Sequence, residues 1–249
     1  MPLPLPMASY SAPACMMMMS RLVEAGADET AARLYVAAGA DDAMGIVTLL
    51  EGGADPNATV VDALLGRETA VAPLHVAAFR GHFAATRRLL GGGADPGKKT
   101  GDGASACYLA AGRNHAAVLR ELLEGGADAS ATTIRGSTAA HVAALHGFAD
   151  CLAVLVHGGY AVDCRGGAGV GAGWTAAQVA LQAGETRCLE VLLQSGADLD
   201  AAGVERTAAN GDAFVLADAV AAAGGWAAHA GAKRPKLARD DAMELNRMD

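Results

Sequence analysis

Leu89–Asp95 reads LLGGGAD, and this seven-residue motif returns along the whole chain. Near-identical copies stand at Leu49–Asp55 and Leu122–Asp128, and looser copies at Leu155–Ala161 and Leu192–Asp198. The last glycines of the five copies are separated by 40, 33, 33 and 37 residues. A period near 33 residues predicts a stack of one supersecondary unit and argues against a globule built around a catalytic cleft.

A second motif precedes the first at a fixed distance. Ala72–Ala78 reads APLHVAA, and looser versions of it fill the same slot at Ser105–Ala111, Thr138–Ala144, Thr175–Leu181 and Leu34–Ala38. Together the two motifs resemble the ankyrin repeat, in five copies between about residues 30 and 200. The Thr-Pro pair of that repeat is complete in no copy, and only Pro73 supplies the proline.

Each copy predicts a pair of helices. Small residues such as Ala77 and Ala78 allow close packing, and Gly81 after them tolerates the left-handed backbone that ends a helix. A second helix follows with apolar residues at helical spacing, as in Leu189 and Leu192. One helix pair cannot bury its apolar face alone, so the fold exists only as an array. We therefore predict an all-α, ankyrin-type solenoid of helix-turn-helix repeats joined by short hairpin loops.

The array is predicted to span residues 16–223, with a degenerate repeat at each end. Leu22–Asp28 (LVEAGAD) resembles the back half of an N-terminal cap, and Arg206–Ala222 keeps the outline of a C-terminal cap. Residues 1–15 are broken by prolines and carry no positive charge, which predicts a disordered leader and not a signal peptide. Residues 224–249 are predicted to form a flexible tail.

Composition limits the classes of partner. The net charge of −8 argues against direct binding of nucleic acid through bulk charge. The chain is 52% hydrophobic, mostly through alanine, valine and leucine, which suits closely packed helices. No apolar stretch approaches the roughly 18 residues of a membrane helix, so we expect no membrane partner.

Cysteine usage and a short basic cluster bear on the location. Five cysteines without a CxxC pair indicate a reducing compartment, which predicts a cytoplasmic or nuclear protein. Cys151 and Cys188 hold equivalent positions in neighbouring repeats. Packed helices lie about 8–10 Å apart, too far for a disulfide, so both cysteines are predicted to be small buried hydrophobes. Lys233, Arg234 and Lys236 resemble a nuclear-import signal, with an ordinary solvated tail as the alternative.

Motifs for catalysis or metal binding are weak. Gly166–Gly173 (GGAGVGAG) contains GxGxG but lacks the Lys-Ser/Thr of a phosphate loop, so it predicts an extended loop. Asp41 and Asp42 are predicted to lie on a solvated face. The resemblance implies that His75 and His141 form hydrogen bonds between repeats, and no cysteine or carboxylate stands at ligand spacing beside them. We expect no cofactor, no metal and no catalysis.

The resemblance also implies a binding surface, because ankyrin-like arrays present their loop tips and first helices as one concave strip. Slot by slot, this assigns partner binding to Phe79, Arg80, Arg113, Ile134, Arg135, Leu145, His146, Trp174 and Gln182. The same slots include Glu68, Thr69, Val71, Asp102, Ala104 and Ser137. Apolar and aromatic residues mixed with arginine are typical of interface hot spots.

Charge is unevenly distributed among the repeats. Residues 1–60 carry seven acidic and two basic residues, a net charge of −5, and residues 129–200 carry six and three, a net of −3. Residues 61–128 carry seven acidic and eight basic residues, a net of +1. The middle repeats are therefore the least acidic, and a partner with an acidic segment is expected.

These observations predict a non-catalytic, monomeric protein-binding module that acts as a scaffold or adaptor. A regulatory inhibitor or assembly chaperone would use the same strip to occlude its partner, and it remains the alternative. An enzyme is the least favoured class, because the segments outside the array are too short to fold independently.

Overall fold

The computed structural model describes residues 12–24, 26–62, 69–166 and 173–198. The chain divides into two compact units, Met1–Ile134 and Arg135–Asp249. The predicted C-terminal cap, the tail with its basic cluster, and most of the glycine-rich segment at 166–173 lie outside the described residues.

The described part of the first unit holds seven helices and one β-hairpin. They are α1 (Ala12–Glu24), α2 (Glu29–Gly39), α3 (Ala43–Glu51), β1 (Val60–Asp62), β2 (Thr69–Val71), α4 (Pro73–Arg80), α5 (Phe83–Gly91), α6 (Ala106–Ala111) and α7 (Ala116–Glu124). Pairs α2–α3, α4–α5 and α6–α7 form repeats 1, 2 and 3, each with a first and a second helix. First helices pack on first helices and second helices on second helices, so each repeat contacts its neighbour through both layers.

Local sequence explains where the helices of repeat 2 begin and end. Pro73 occupies the first turn of α4, where its fixed φ suits a helix and its missing N–H is not needed. The helix ends at Gly81, whose φ of +78° is left-handed. Gly81 is therefore the residue that lets the chain turn back into α5.

The N-terminal helix α1 forms half a repeat. It begins at Ala12, within the predicted leader of residues 1–15, and it buries Leu22. Its exit turn at Gly26 has a φ of +91°, and the turn after α3 has the same form at Gly53, with a φ of +88°. This half repeat lies where the N-terminal cap is predicted, and its helix starts earlier than the motif indicates.

A short antiparallel hairpin joins repeats 1 and 2. Strands β1 and β2 pair Val60 with Val71, Val61 with Ala70, and Asp62 with Thr69. The N–H of Gly101, in the next loop, donates to the carbonyl oxygen of Ala70 at 3.1 Å. Successive loops of the first unit are therefore linked side by side through their backbones.

The described part of the second unit holds four helices. They are α8 (Ala139–Leu145), α9 (Ala149–His157), α10 (Ala176–Ala183) and α11 (Thr186–Gln194). They form repeats 4 and 5, with α8 packed on α10 and α9 packed on α11. Cys151 and Cys188 are buried on α9 and α11, and each carries a thiol, as predicted.

The prediction of a solvated face is wrong for Asp42. This residue is only 7% exposed, and its Oδ1 accepts a hydrogen bond of 2.9 Å from the N–H of Gly45 at the start of α3. Asp41 is exposed, yet its Oδ1 accepts from the N–H of Ala85 at 3.0 Å. Asp41 of repeat 1 thus caps the second helix of repeat 2, because short acidic side chains satisfy the first N–H groups of helices.

Candidate functional site

Side chains at the C-terminal ends of the first helices reach the surface. In α4 the residues from Pro73 to Ala78 are buried, and Phe79 and Arg80 are half-buried. Arg113 follows α6 one repeat later, in the same slot as Arg80, and is exposed. We call Phe79, Arg80 and Arg113 the first-unit strip.

Phe79 and Arg113 are in direct contact across two repeats. The guanidinium carbon of Arg113 lies 4.2 Å from the centroid of the Phe79 ring. This is a cation–π contact, in which the flat guanidinium is attracted by the negative face of the ring. Consecutive slots of neighbouring repeats thus bring an apolar and a charged side chain together at the surface.

Backbone carbonyls beneath the strip accept hydrogen bonds from the following repeat. The carbonyl oxygen of Gly39 accepts from Nη1 of Arg80 at 2.8 Å and from Nε2 of His82 at 3.1 Å. The carbonyl of Phe79 likewise accepts from His115. Burial, with the nearby charges of His82 and Arg113, lowers the pKa of His115, so its ring is neutral near pH 7.

Two exposed apolar side chains lie on the loops of the first unit. Ile134 is 76% exposed and lies close to Gly103, where an added Cβ would come within 2.7 Å of its Cγ1. Val61 on β1 is 50% exposed. The alignment of the repeat motifs does not place Val61 on the binding surface. The adjacent Val60 and Val61 are the sequence signal that could have identified it, because neighbouring residues of a strand face opposite sides.

Leu145, His146 and Gln182 in the second unit are exposed at the ends of α8 and α10, and we call them the second-unit strip. Leu145 is 39% exposed, and the ring of His146 lies 5.6 Å from that of Phe148 between centroids. Arg135 is exposed as well.

Trp174 differs from its prediction as an exposed residue without a structural role. It is half-buried, and its carbonyl oxygen accepts a hydrogen bond of 2.9 Å from Nε2 of His141. Its backbone therefore belongs to the framework of the repeat, while part of its side chain remains accessible.

Three of the additional slot residues are buried, so their predicted place on the exposed strip is wrong. They are Val71, Ala104 and Ser137. Val71 is fully buried opposite Val60 in the hairpin, and the N–H of Ala104 donates to Thr100 Oγ1 at 3.0 Å inside a tight loop. Each of the three residues immediately precedes the N-cap residue of a first helix. Thr69 and Asp102 are half-buried, and Glu68 lies outside the described residues.

The prediction that His75 links two repeats is confirmed. The N–H of Ala72 donates to Nδ1 of His75 at 3.1 Å, so the ring proton resides on Nε2, which donates to the carbonyl of Lys98 at 2.9 Å. His141 makes the same pair of bonds, to Thr138 and Trp174. Burial lowers the pKa of both histidines, which keeps both rings neutral.

Within the described ranges, no group of three or more His, Cys, Asp or Glu side chains is arranged to hold a metal ion. In the same part of the chain, no helix has the length and apolar character needed to cross a membrane.

Helix pairs at a period near 33 residues, with loops between them, define a helical repeat protein. A family model described as ankyrin repeats matches residues 74–166 and 129–203 in three copies, which together cover more than half of the chain. The chain belongs to the ankyrin-repeat family, and the predicted all-α, ankyrin-type fold is confirmed. A search of curated proteins finds no match. Ankyrin repeats generally mediate protein–protein interaction, and proteins built from them are typically not enzymes.

Proposed function

We propose that this protein is a non-catalytic interaction module that binds a partner protein on its loop and first-helix surface, as an adaptor or scaffold. The observation that carries the proposal is the exposed Arg113 on Phe79. The pair lies outside the buried alanines and leucines that pack the repeats together. Aromatic residues and arginine dominate interface hot spots.

The second-unit strip supports the same proposal. Leu145 lies at the same position of its repeat as Phe79, and it is exposed although the alanines before it are buried. A leucine that adds little to the core is available to a partner. We further propose that the protein acts as a monomer in the cytoplasm or nucleus, a location that suits five cysteines carrying thiols.

The test is capture from a cell lysate with three full-length baits. The first is the wild type, and the second carries Phe79→Ala, Arg113→Glu and Leu145→Ala. The third carries Arg88→Glu, a charge reversal at an exposed position on the second helix α5. Each captured protein is then purified and titrated by calorimetry against all three baits.

A genuine partner binds the wild type and the Arg88→Glu control equally, and it binds the strip variant at least about tenfold more weakly. Equal binding to all three baits would move the site to another surface. The activity of the captured partner, measured with and without this protein, separates an adaptor from an inhibitor. An occluding protein abolishes the partner's own activity, whereas an adaptor leaves it intact.

A further inference from the structure

The first-unit strip carries charge of one sign. Arg80 and Arg113 occupy the same slot of consecutive repeats, and Gly39, Phe79 and Gly112 occupy the slot before it. Neither ion pair of the described residues, Arg33–Glu29 or Arg87–Glu121, involves Arg113. The strip is therefore positive, although the chain as a whole is negative.

Two acidic side chains in the loops of the first unit, Asp41 and Asp102, have partners within the chain. Asp41 accepts a hydrogen bond from the N–H of Ala85, and Asp102 accepts one from the hydroxyl of Thr100. The carboxylate of Asp41 is held by the next repeat, and that of Asp102 by its own loop. Among the described residues no carboxylate forms an ion pair with Arg113, so its charge is available to an acidic group of a partner.

The position of Arg113 over Phe79 bears on what it can bind. Its guanidinium carbon lies over the ring, 4.2 Å from the centroid, and this contact with the π-system leaves N–H groups of the guanidinium available. Two parallel N–H groups at the edge of a guanidinium match the two oxygens of a carboxylate. Phe79 therefore positions Arg113 for a carboxylate, and it offers an apolar surface beside it.

We propose, on the basis of the proposed function, that the first-unit strip binds an acidic segment of the partner protein. An aspartate or glutamate side chain of that segment pairs with Arg113, an apolar neighbour packs against Phe79, and further acidic residues lie near Arg80. Gly112, which holds the slot of Phe79 in repeat 3, adds no side chain that would obstruct the apolar neighbour.

Selection from a random phage-displayed peptide library on the immobilised full-length protein tests this assignment. The strongest peptides are synthesised with a fluorescent label and measured by anisotropy. Each peptide is also made with every acidic residue replaced by its amide, and with one acidic residue replaced by phosphoserine.

The expected peptides contain aspartate or glutamate next to an apolar residue. Their affinity falls at least about tenfold on amide replacement and by a similar factor in Arg113→Glu, because a charge-paired hydrogen bond is lost. Arg113→Lys keeps the charge but loses the planar edge, and it gives an intermediate loss. Arg88→Glu is the matched control and leaves the affinity unchanged.

A charge exchange guards against misfolding of the variant. Arg113→Glu should bind a version of the peptide in which lysine replaces the acidic residue better than it binds the original. A variant that binds neither version but keeps the wild-type circular dichroism and melting temperature would overturn the direct pairing.

Three other outcomes also overturn the assignment. The first is that the selected peptides are neutral or basic, and the second is that they bind Arg113→Glu as well as wild type. The third is a preference of about tenfold for phosphoserine over glutamate, which would make the ligand a phosphate. Peptides whose binding is lost in Leu145→Ala but not in Arg113→Glu would refute the proposal that the strip binds an acidic segment. They would leave the proposed interaction module intact. Failure of every peptide and every lysate protein to bind would refute both.

Discussion

His141 donates from Nε2 to the carbonyl oxygen of Trp174, 33 residues further along the chain, at 2.9 Å. His75 donates in the same way to the carbonyl of Lys98 at 2.9 Å. In both rings Nδ1 accepts a backbone N–H, so each histidine serves the fold only in its neutral form. Protonation would place a second N–H against that backbone donor.

The stability of the protein should therefore decrease in acid. Burial holds the pKa of His75 and His141 below the ordinary 6.5, so the unfolded chain takes up protons first as the pH falls. The stabilisation that the two neutral histidines provide is complete above pH 6.5. It is lost as the pH falls toward the lower pKa of these histidines in the folded state. Melting temperatures recorded from about pH 8 to about pH 5 should decrease steadily below the ordinary histidine pKa.

The chain supplies its own control for this experiment. Gln178 fills the same slot in repeat 5, where its Oε1 accepts the N–H of Thr175 at 3.0 Å without a titrating ring. The double variant His75→Gln and His141→Gln should therefore show a flatter pH profile, to which His115 still contributes because burial lowers its pKa as well. An unchanged slope would assign the pH dependence to other groups.

Gly81→Ala should destabilise repeat 2 more than the equivalent change in repeat 5. Both Gly81 and Gly184 are left-handed, with φ of +78° and +75°. Alanine in this conformation costs about 1–2 kcal/mol. A Cβ at Gly81 would also lie 2.5 Å from Nδ1 of His115, whereas no described atom lies within 4 Å of a Cβ at Gly184.

Urea unfolding of the two variants measures the difference. The additional crowding at Gly81 should lower the free energy of unfolding by about 1–3 kcal/mol beyond the loss in Gly184→Ala. Equal losses would mean that the His115 ring moves aside at no cost.

Ala72→Thr should stabilise the protein. Ser105, Thr138 and Thr175 hold this slot in repeats 3, 4 and 5, and each side-chain oxygen accepts an N–H at the start of its helix. Alanine has no acceptor, so the restored cap should contribute about 0.5–2 kcal/mol. The melting temperature should rise by a few degrees, and it should fall by a similar amount in Thr138→Ala. A decrease in Ala72→Thr would show that this buried site cannot hold the larger side chain.

Thiol reactivity should separate Cys164 from the other cysteines. Burial raises the pKa of Cys107 and Cys188 to about 12 and that of Cys151 to about 11, and the thiolate is the reactive form. The pKa of Cys15, also buried, is raised as well. With Ellman's reagent the native protein should show one fast thiol, which Cys164→Ser removes. Several fast thiols at neutral pH would reveal local opening of the repeats.

Leu145 and Leu152 should divide binding from stability. Leu145→Ala truncates an exposed side chain and should change the free energy of unfolding by less than about 0.5 kcal/mol, while weakening partner binding. Leu152 on α9 is fully buried, so Leu152→Ala should lose about 2–5 kcal/mol. A large drop in stability for Leu145→Ala would place that leucine in the core.

The repeat motifs predict the helices well because both signals are local. A glycine with positive φ ends each second helix at one spacing, and the apolar positions between glycines follow the helical period. The linking role of His75 comes from the resemblance to the ankyrin repeat, and it extends to His141 because the same motif recurs there.

The hairpin and its consequences could not be read in this way. Val60 and Val71 pair across an insertion, and nothing in the 33-residue phase specifies that pairing. The repeat alignment therefore predicts that Val71 is on the surface, whereas the hairpin buries it. The cap that Asp41 gives to Ala85 was missed for a similar reason, because its donor is 44 residues away and belongs to the next repeat. The contact of Arg113 with Phe79 depends on side-chain rotamers, which the position of a residue within the repeat does not specify.

The links between repeats have a consequence for how such a surface can evolve. Arg80 and His82 bond to the carbonyl of Gly39, His115 to that of Phe79, and His141 to that of Trp174. Each acceptor is a main-chain atom, which every amino acid provides. Natural selection can therefore exchange the side chain of a residue whose carbonyl accepts such a bond without losing the hydrogen bond between repeats. The side chain is glycine in one repeat and phenylalanine in the next. Binding specificity and structural integrity are inherited through different atoms of the same residue.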